Sequence, residues 1–341
     1  MSLQHFPVQN STLSAKAMVP WLRKKYTFSR SISCEFYRKG AGLCDTYLIK
    51  TAEKDYYLKI FMHGRRTKLD ALEEVRLLNY LGKNGIPVAM PVVQKDGSVV
   101  SKFQAPEGTR YAVLYHGIEG AEEDNNEERV KAFGDMVARF HLCSDKMPRA
   151  YRRKHLDMKY LIDDNLTLIS ALMTDRAAEF KIIENIGEYC KEQVQKLLPT
   201  SKPEYGICHG DLFGGDVRYK EDNTPVIFDF DSSGCGWRAL DIGVFLGSPD
   251  WMNTSDESEQ LRQRRLSLFL EGYSKIRKLS ENELSVIQLG PPVHHIFLFG
   301  LFLRYYGIHQ GNHFADDGYV DWYMTWFNHW AANNLQPKNI Q

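Results

Sequence analysis

Residues 208–217 read CHGDLFGGDV, and residues 225–231 read PVIFDFD. These segments place Asp211, Asp216 and Asp229 within 19 positions of sequence, each beside a turn or at the end of a strand. Carboxylates crowded in this way repel one another unless a cation lies among them. Hard oxygen ligands held by loops suit Mg²⁺ that carries substrate phosphates. The two segments therefore predict a site for metal-assisted phosphoryl transfer.

The first part of the chain offers groups that could hold phosphates. Gly40 and Gly42 lie in a turn whose backbone N–H groups could approach phosphates closely. Lys59 lies inside an apolar strand, where a charge is costly unless it faces a cleft or a partner. Glu74 on the following helix could be that partner, with Glu73 as the alternative.

Hydrophobic periodicity divides the chain into a β-rich first part and a helical second part. The predicted strands of the first part are 32–37, 46–50, 56–61, 88–93 and 111–115. A helix is predicted over 67–81, with an apolar face made of Leu69, Leu72, Leu77 (or Val75), Leu78 and Leu81. After about residue 121 the pattern is helical, apart from strand and loop between 206 and 230.

This order of elements predicts an α+β fold with two lobes and a cleft where they meet. The expected parts are a β-rich lobe over 1–114 with an N-terminal helical arm, a hinge at 115–120, and a larger helical lobe over 121–341.

The composition is that of an ordinary globular chain, with 43% hydrophobic and 25% charged residues. Lys plus Arg and Asp plus Glu both number 43, and this balance argues against nucleic acid as the main partner. The six cysteines form no CxxC pair, which indicates free thiols in a reducing compartment. The longest apolar run, 296–303, is too short to span a membrane. We expect a cytoplasmic protein without a membrane partner.

The motifs together resemble the aminoglycoside phosphotransferase and choline kinase-like superfamily, which shares the protein kinase-like fold. His209-Gly210-Asp211 matches the catalytic loop of that superfamily, and Asp229 matches its metal-binding aspartate. The segment 236–242 matches the element that follows. The nearest subgroup resembles type II homoserine kinase and the bacterial stress-response kinase. The resemblance covers roughly residues 30 to 310.

The resemblance implies a bilobal small-molecule kinase that uses ATP or GTP and Mg²⁺. Asp211 would orient the acceptor hydroxyl, and Asp229 would hold the metal against the nucleotide phosphates. Lys59 would bind the α- and β-phosphates, with Glu74 as its partner. The residues expected to receive the purine are those of the hinge, Tyr115, His116, Gly117 and Ile118.

One position departs from the superfamily pattern. Asp216 stands where relatives carry Asn as the second metal ligand, so a ligating oxygen is kept and a negative charge is added. This departure leaves open a nucleotide-binding pseudokinase with a regulatory role. A protein kinase is disfavoured, because the triplet is HGD and Asp241 follows Asp229 by only 12 positions, which leaves no room for an activation segment. The acceptor could be an aminoglycoside, another amine-bearing antibiotic, or a metabolite such as homoserine or choline.

The helical lobe should line the acceptor side of the cleft. The candidates for acceptor contact are Asp231, Asp250, Trp251, Tyr305 and Trp322. Most aromatic residues of 319–330 recur at helical spacing, which core packing explains. The pair His294-His295 lacks the spacing of a zinc site, and we expect Asp241 to bind the backbone of the catalytic loop.

Overall fold

A computed structural model describes residues 6–28, 31–37, 43–248, 250–309 and 311–335. The chain forms two compact units. The first unit consists of Met1–Gly120, Arg149–Arg152 and Val226–Asp231. The second unit consists of Ala121–Pro148, Arg153–Pro225 and Ser232–Gln341. The first unit is rich in strands and the larger second unit is mainly helical, so the predicted α+β class is confirmed.

The first unit is built on a five-stranded antiparallel sheet with the order β1-β2-β3-β5-β4. The strands are β1 (Ser33–Phe36), β2 (Cys44–Lys50), β3 (Asp55–Phe61), β4 (Val100–Ala105) and β5 (Gly108–His116). In β3 the side chains of Leu58 and Ile60 are fully buried, and Lys59 between them is only partly buried. Because side chains alternate along a strand, Lys59 points to the face opposite this core.

The N-terminal arm covers one face of that sheet. Helix α1 (Ala15–Lys25) begins at Ser14, whose side chain accepts the N–H of Ala17. Leu22 of α1 is fully buried and belongs to the same apolar cluster as Leu58 and Ile60. The arm is therefore an integral part of the first unit.

Helix α2 (Lys68–Lys83) begins with a capping box between Thr67 and Asp70. Of the predicted apolar face, Leu77, Leu78 and Leu81 are buried, but Leu69 and Leu72 are 49% and 38% exposed. The buried residues are Ala71, Glu73, Glu74, Val75, Leu77, Leu78 and Leu81. The buried face of α2 therefore includes Glu73 and Glu74, two acids that a hydrophobic pattern would place on the surface.

Two predictions for the sheet were wrong. Residues 88–93 form no strand, but only isolated bridges from Val88 to Ile227 and from Pro91 to Tyr115. Proline lacks the N–H that a continuous ladder requires, which explains this interruption. Strand β4 was missed because its sequence, VSKFQA, is interrupted by polar residues.

The second unit contains eight α-helices within the described residues. They are α3 (Glu127–Ser144), α4 (Asp164–Leu172), α5 (Ala177–Leu197), α6 (Arg238–Gly247), α7 (Asp256–Ile276), α8 (Glu281–Ile287), α9 (Gly290–Tyr306) and α10 (Asp317–Asn334). The remaining short strands are β6 (His155–Leu156), β7 (Tyr205–Cys208), β8 (Val217–Tyr219), β9 (Pro225–Ile227) and β10 (Gly234–Trp237). In the second unit, β10 lies between β6 and β7.

The aromatic helix α10 packs largely as expected. Five of its aromatic side chains are buried, namely Tyr319, Tyr323, Trp326, Phe327 and Trp330. Trp322 is the exception, with 42% of its surface exposed. Within the described residues, no single helix has the length and apolar composition to cross a membrane, although α8 and α9 pass that test together as a bent pair.

Helices α3 and α7 approach each other closely through two glycines. A Cβ atom on Gly134 would overlap the carbonyl oxygen of Phe269, and one on Gly272 would overlap that of Lys131. The backbones can therefore approach this closely only where both side chains are absent.

We expect Gly134→Ala and Gly272→Ala each to destabilise the protein by about 1–3 kcal/mol, because the added methyl group overpacks this crossing. Gly318→Ala in α10 is the matched control, since a Cβ there meets nothing closer than 3.5 Å. That change should stabilise by about 0.4–1 kcal/mol through the unfolded chain. Urea unfolding measures all three. Equal stabilities for the crossing variants and the control would contradict the packing argument.

Candidate active site

The segment 209–211 leaves β7 through a turn that only glycine allows. Gly210 has a φ of +81°, a conformation that side chains rarely adopt. A Cβ atom there would also overlap the carbonyl oxygen of Ser232. The turn therefore fixes the direction in which the chain carries Asp211 away from the strand.

Asp241 holds this loop from the first turn of α6. Its carboxylate accepts the backbone N–H groups of His209 and Gly210, both at 2.8 Å. This confirms the expected backbone-binding role of Asp241. His141 lies on the other side of the carboxylate, with its Nε2 atom 3.3 Å from Oδ2.

The protonation of this buried pair follows from its surroundings. Burial lowers the pKa of His141 to about 4, in spite of the nearby carboxylate, so the imidazole is neutral at pH 7. Burial opposes the charge of Asp241, but the hydrogen bond from His141 and the loop amides lower its pKa overall. The Nε2–H of His141 donates to Asp241, and the hydroxyl of Tyr273 donates to Nδ1 over 2.9 Å.

The ligand atoms of His141, Cys208 and Asp241 lie within 4.8 Å of one another, and all three residues are buried. Hydrogen bonds already explain the arrangement, because Asp241 receives two amides and an imidazole. Burial and the carboxylate of Asp241 also raise the pKa of the Cys208 thiol, which disfavours the thiolate that a metal requires. The group fits a structural network better than a metal centre.

Asp211 itself contacts a histidine from a distant part of the chain. The Nε2 atom of His294, on α9, lies 3.1 Å from Oδ1 of Asp211. The side chain of Asp211 is 37% exposed and that of His294 is 11% exposed. No local sequence pattern predicts this contact, because 83 positions separate the two residues, and the spacing of His294-His295 bears only on zinc binding.

Asp216 lies at the end of a short 3₁₀ turn, Gly214–Asp216, directly before β8. Its N–H donates to the carbonyl oxygen of Phe213 over 2.9 Å. Its side chain is half-buried. The turn thus presents a carboxylate five positions after Asp211 on a defined backbone.

The first unit contains a dense cluster of charges around Lys59, which we call the Lys59 cluster: Lys59, Arg65, Arg66, Asp229 and Asp231. Lys59 Nζ contacts Asp229 Oδ1 and lies 3.2 Å from Asp231 Oδ2. Arg65 lies 2.7 Å from the other oxygen of Asp231, and Arg66 lies 3.6 Å from it. Asp229 has a φ of +65°, which is strained for a residue with a side chain and typical of functional sites.

These contacts set the charges of the Lys59 cluster. Burial opposes ionisation of Lys59, but Asp229 and Asp231 outweigh it and raise its pKa well above the usual value. Burial also opposes the charge of Asp231, yet Arg65, Lys59 and Arg66 hold its pKa well below the usual value. Asp231, predicted to lie on the acceptor side, is instead buried among these cations.

Glu74 contacts a different residue from the one expected. Its Oε1 atom accepts the hydroxyl of Tyr115 over 2.7 Å, and both side chains are buried. Burial and the neighbouring Glu74 raise the pKa of Tyr115 well above its usual value. The ion pairs of Lys59 go to the two aspartates, whose charges lie closer, although Glu74 also raises the pKa of Lys59.

The predicted hinge, 115–120, begins with the last two residues of β5. The N–H of His116 donates to the carbonyl oxygen of Met90 over 2.9 Å, and that of Gly117 donates to Asp55 over 2.8 Å. A Cβ atom on Gly117 would lie 2.6 Å from the Asp55 oxygen, so this approach requires glycine. Ile118 is half-buried. Gly40 and Gly42 lie outside the described residues.

Three of the acceptor candidates lie together in the second unit. Trp251 stacks on His295, with ring centroids 4.9 Å apart, and meets Trp322 edge to face at 5.3 Å. Asp250 directly precedes Trp251 and accepts hydrogen bonds from Asn253 and Ser258. Tyr305 lies half-buried on α9. Trp322 is exposed and Trp251 is half-buried, and aromatic faces of this kind can attract a cation.

We expect folding stability to decrease as the pH falls from about 6.5 to about 4. The lowered pKa of His141 means that an unfolded histidine binds a proton in this window that the folded one does not. The slope from one such group is at most ~1.4 kcal/mol per pH unit. His295 should add to it, because burial lowers its pKa too. Thermal unfolding between pH 7.5 and 4.5 gives the slope.

His141→Gln should flatten that dependence, because glutamine keeps a donor for Asp241 and does not titrate. His329→Gln, at an exposed position of α10, is the control. A His141→Gln protein whose stability falls as steeply as that of the wild type would contradict the assignment.

Comparisons with known proteins agree with this architecture. A profile of the phosphotransferase enzyme family matches residues 40–279. An uncharacterised protein of Synechocystis sp. is 33% identical over 285 residues, which cover 83% of this chain and 76% of that protein. Amicoumacin kinase of Bacillus subtilis is 25% identical, over 72% of this chain and 73% of that protein. Homoserine kinase of Bartonella henselae is 26% identical, over 71% of this chain and 72% of that protein.

Two solved structures share the fold. An amicoumacin kinase in complex with AMP-PNP, Ca²⁺ and Ami superposes with a TM-score of 0.74 at 20% identity, covering 93% of this chain and 94% of that one. A microcompartment-associated aminopropanol kinase also gives 0.74, at 17% identity, covering 93% and 98%. The predicted kinase-like fold and superfamily are confirmed. Since the family profile matches more than half of its residues, the chain belongs to the phosphotransferase enzyme family and is a small-molecule kinase that phosphorylates a hydroxyl group.

Proposed function

We propose that the protein transfers the γ-phosphate of ATP or GTP to a hydroxyl of a small amine-bearing molecule, with Mg²⁺ as the metal. The observation that carries this proposal is the Lys59 cluster, in which Lys59 contacts Asp229 although 170 positions separate them. A lysine beside a metal-binding carboxylate is the arrangement that kinases use for nucleotide phosphates.

Each predicted nucleotide residue keeps a role in this proposal. Lys59 binds the α- and β-phosphates, and we assign Gly40 and Gly42 to the same phosphates. The residues that receive the purine are Tyr115, His116, Gly117 and Ile118. Glu74 acts on the site through Tyr115, whose hydroxyl it holds.

The carboxylates of Asp216 and Asp229 are the groups that we assign to the metal. Asp229 fits this role because its side chain is 29% exposed and offers hard oxygen atoms. When bound, Mg²⁺ would neutralise charge on the phosphates. Asp216 contributes a carboxylate where relatives have Asn, and we expect this to strengthen the preference for a divalent cation.

Asp211 is the residue that we assign to the acceptor. Its partly exposed carboxylate lies on a loop whose backbone is clamped by Asp241, so it can hold a hydroxyl in one orientation. Orientation of this kind supplies much of the rate in phosphoryl transfer.

The acceptor class follows from Asp250, Trp251 and Trp322. A carboxylate next to aromatic rings attracts an ammonium group, both by charge and by cation–π contact. The kinases named above for homoserine and aminopropanol act on amine-bearing alcohols. Two kinds of acceptor fit this site. One is an amine-bearing antibiotic, which would imply a role in resistance, and the other is an amine-bearing metabolite. Tyr305 is the further residue that we assign to the acceptor side.

We place the reaction in the cytoplasm, where ATP and Mg²⁺ are available.

We expect Asp211→Asn to lower kcat by roughly 100-fold or more, since the amide cannot accept the hydroxyl proton. ADP release from ATP and from GTP would be measured with a panel of aminoglycosides, other amine-bearing antibiotics, amino alcohols and homoserine. Asp175→Asn, at an exposed position of the second unit, is the control and should match the wild type. Nucleotide binding without turnover of any acceptor would contradict the kinase and favour the regulatory module that Asp216 suggested.

Lys59→Met should raise the KM for the nucleotide roughly 10- to 100-fold, because a charge-assisted hydrogen bond to phosphate is lost. The first unit should stay folded, since Arg65 and Arg66 still neutralise Asp231. Lys50→Met is the matched control, because Lys50 is also an ion-paired lysine of the sheet but is exposed. An unchanged nucleotide KM in Lys59→Met would contradict the assigned role.

A further inference from the structure

We propose that His294 is a positioning residue that fixes the orientation of the Asp211 carboxylate. This inference rests on the proposed role of Asp211 toward the acceptor hydroxyl. The Nε2 atom of His294 lies 3.1 Å from Oδ1 of Asp211, within hydrogen-bond distance. A bond to one oxygen hinders rotation of the carboxylate about its Cβ–Cγ bond, so the group faces the acceptor in one orientation.

The direction of this hydrogen bond follows from its chemistry. A carboxylate oxygen can only accept, so Nε2 of His294 must carry the proton. With the proton on Nδ1 alone, two lone pairs would face each other across 3.1 Å, which is repulsive. Both the neutral Nε2–H tautomer and the charged imidazolium can donate here, so the contact does not depend on which of them is present.

The imidazole is itself held in place. His294 is only 11% exposed, and its ring lies 6.4 Å from that of Phe297, one turn further along α9. Together with Phe297, Val293 and Leu161, it lines a small pocket that also borders Gly210. The ring therefore lies between apolar packing on one side and Asp211 on the other.

Helices α6 and α9 connect this contact to the clamp on the loop backbone. A Cβ atom on Gly243 would overlap the Cα atom of Gly290, and a Cβ atom on Gly290 would overlap the Cα atom of Gly243. This crossing lies two positions from Asp241 and four positions from His294. One rigid helix pair therefore holds the catalytic loop twice, through its amides from α6 and through the Asp211 side chain from α9.

Substitutions at position 294 separate positioning from packing. His294→Phe keeps a ring beside Phe297 but removes the donor, and His294→Ala removes both. His294→Gln restores an N–H group where Nε2 now lies. We expect kcat to fall roughly 10- to 100-fold in the Phe and Ala variants, with nucleotide KM within twofold of the wild type, because a displaced reacting group costs about this much. The Gln variant should recover most of the lost rate.

His295→Ala is the control for packing, since His295 is buried between Trp251 and Trp326 and makes its ring contacts there. It should lower the melting temperature, whereas His294→Gln should keep it. A His294→Phe enzyme whose kcat matches the wild type, while Asp211→Asn is inactive, would overturn this inference alone. A Gln variant as slow as the Phe variant would also overturn it. A wild-type enzyme without turnover on any acceptor would overturn the proposed function, and this inference with it.

Discussion

The carboxylate of Asp241 is the group on which the conformation of the loop 209–211 depends. It accepts two successive backbone N–H groups, of His209 and Gly210, and these are donors that the sharp turn removes from any regular secondary structure. Without an acceptor, the buried amide of His209 alone would cost about 1–3 kcal/mol. The acid can stay ionised in a buried position because His141 and these amides compensate its burial. The position of the backbone that carries Asp211 follows from this arrangement.

The sequence predicts those parts of the site whose residues are neighbours along the chain. His209, Gly210 and Asp211 form one turn, Asp229 ends a short apolar strand, and Lys59 interrupts another. In these segments a polar residue stands beside or within an apolar run. Such a position can be recognised from the local sequence alone, without knowing which distant residue it contacts. The α+β class is predicted for the same reason, since strand and helix periods are local properties.

The parts that escaped prediction depend on contacts between distant segments. His294 reaches Asp211 across 83 positions, and Arg65 reaches Asp231 across 166. The buried stripe of α2 includes Glu74 because the Tyr115 hydroxyl supplies a partner from β5. Hydrophobic patterning instead placed Leu69 and Leu72 inside, because it counts apolar residues without knowing which surface meets a neighbour. Only the folded chain shows which acids have partners.

The Lys59 cluster has the charge balance that an exchange of partners requires. Three cations, Lys59, Arg65 and Arg66, surround two carboxylates, and Asp231 is contacted by all three cations. If Lys59 turned toward a phosphate, Arg65 and Arg66 would still neutralise Asp231, so no buried charge would lose all its partners. Asp229 would be the carboxylate released, and a metal ion could then compensate it. The excess of positive charge thus allows Lys59 and Asp229 to change partners together while Asp231 stays in place.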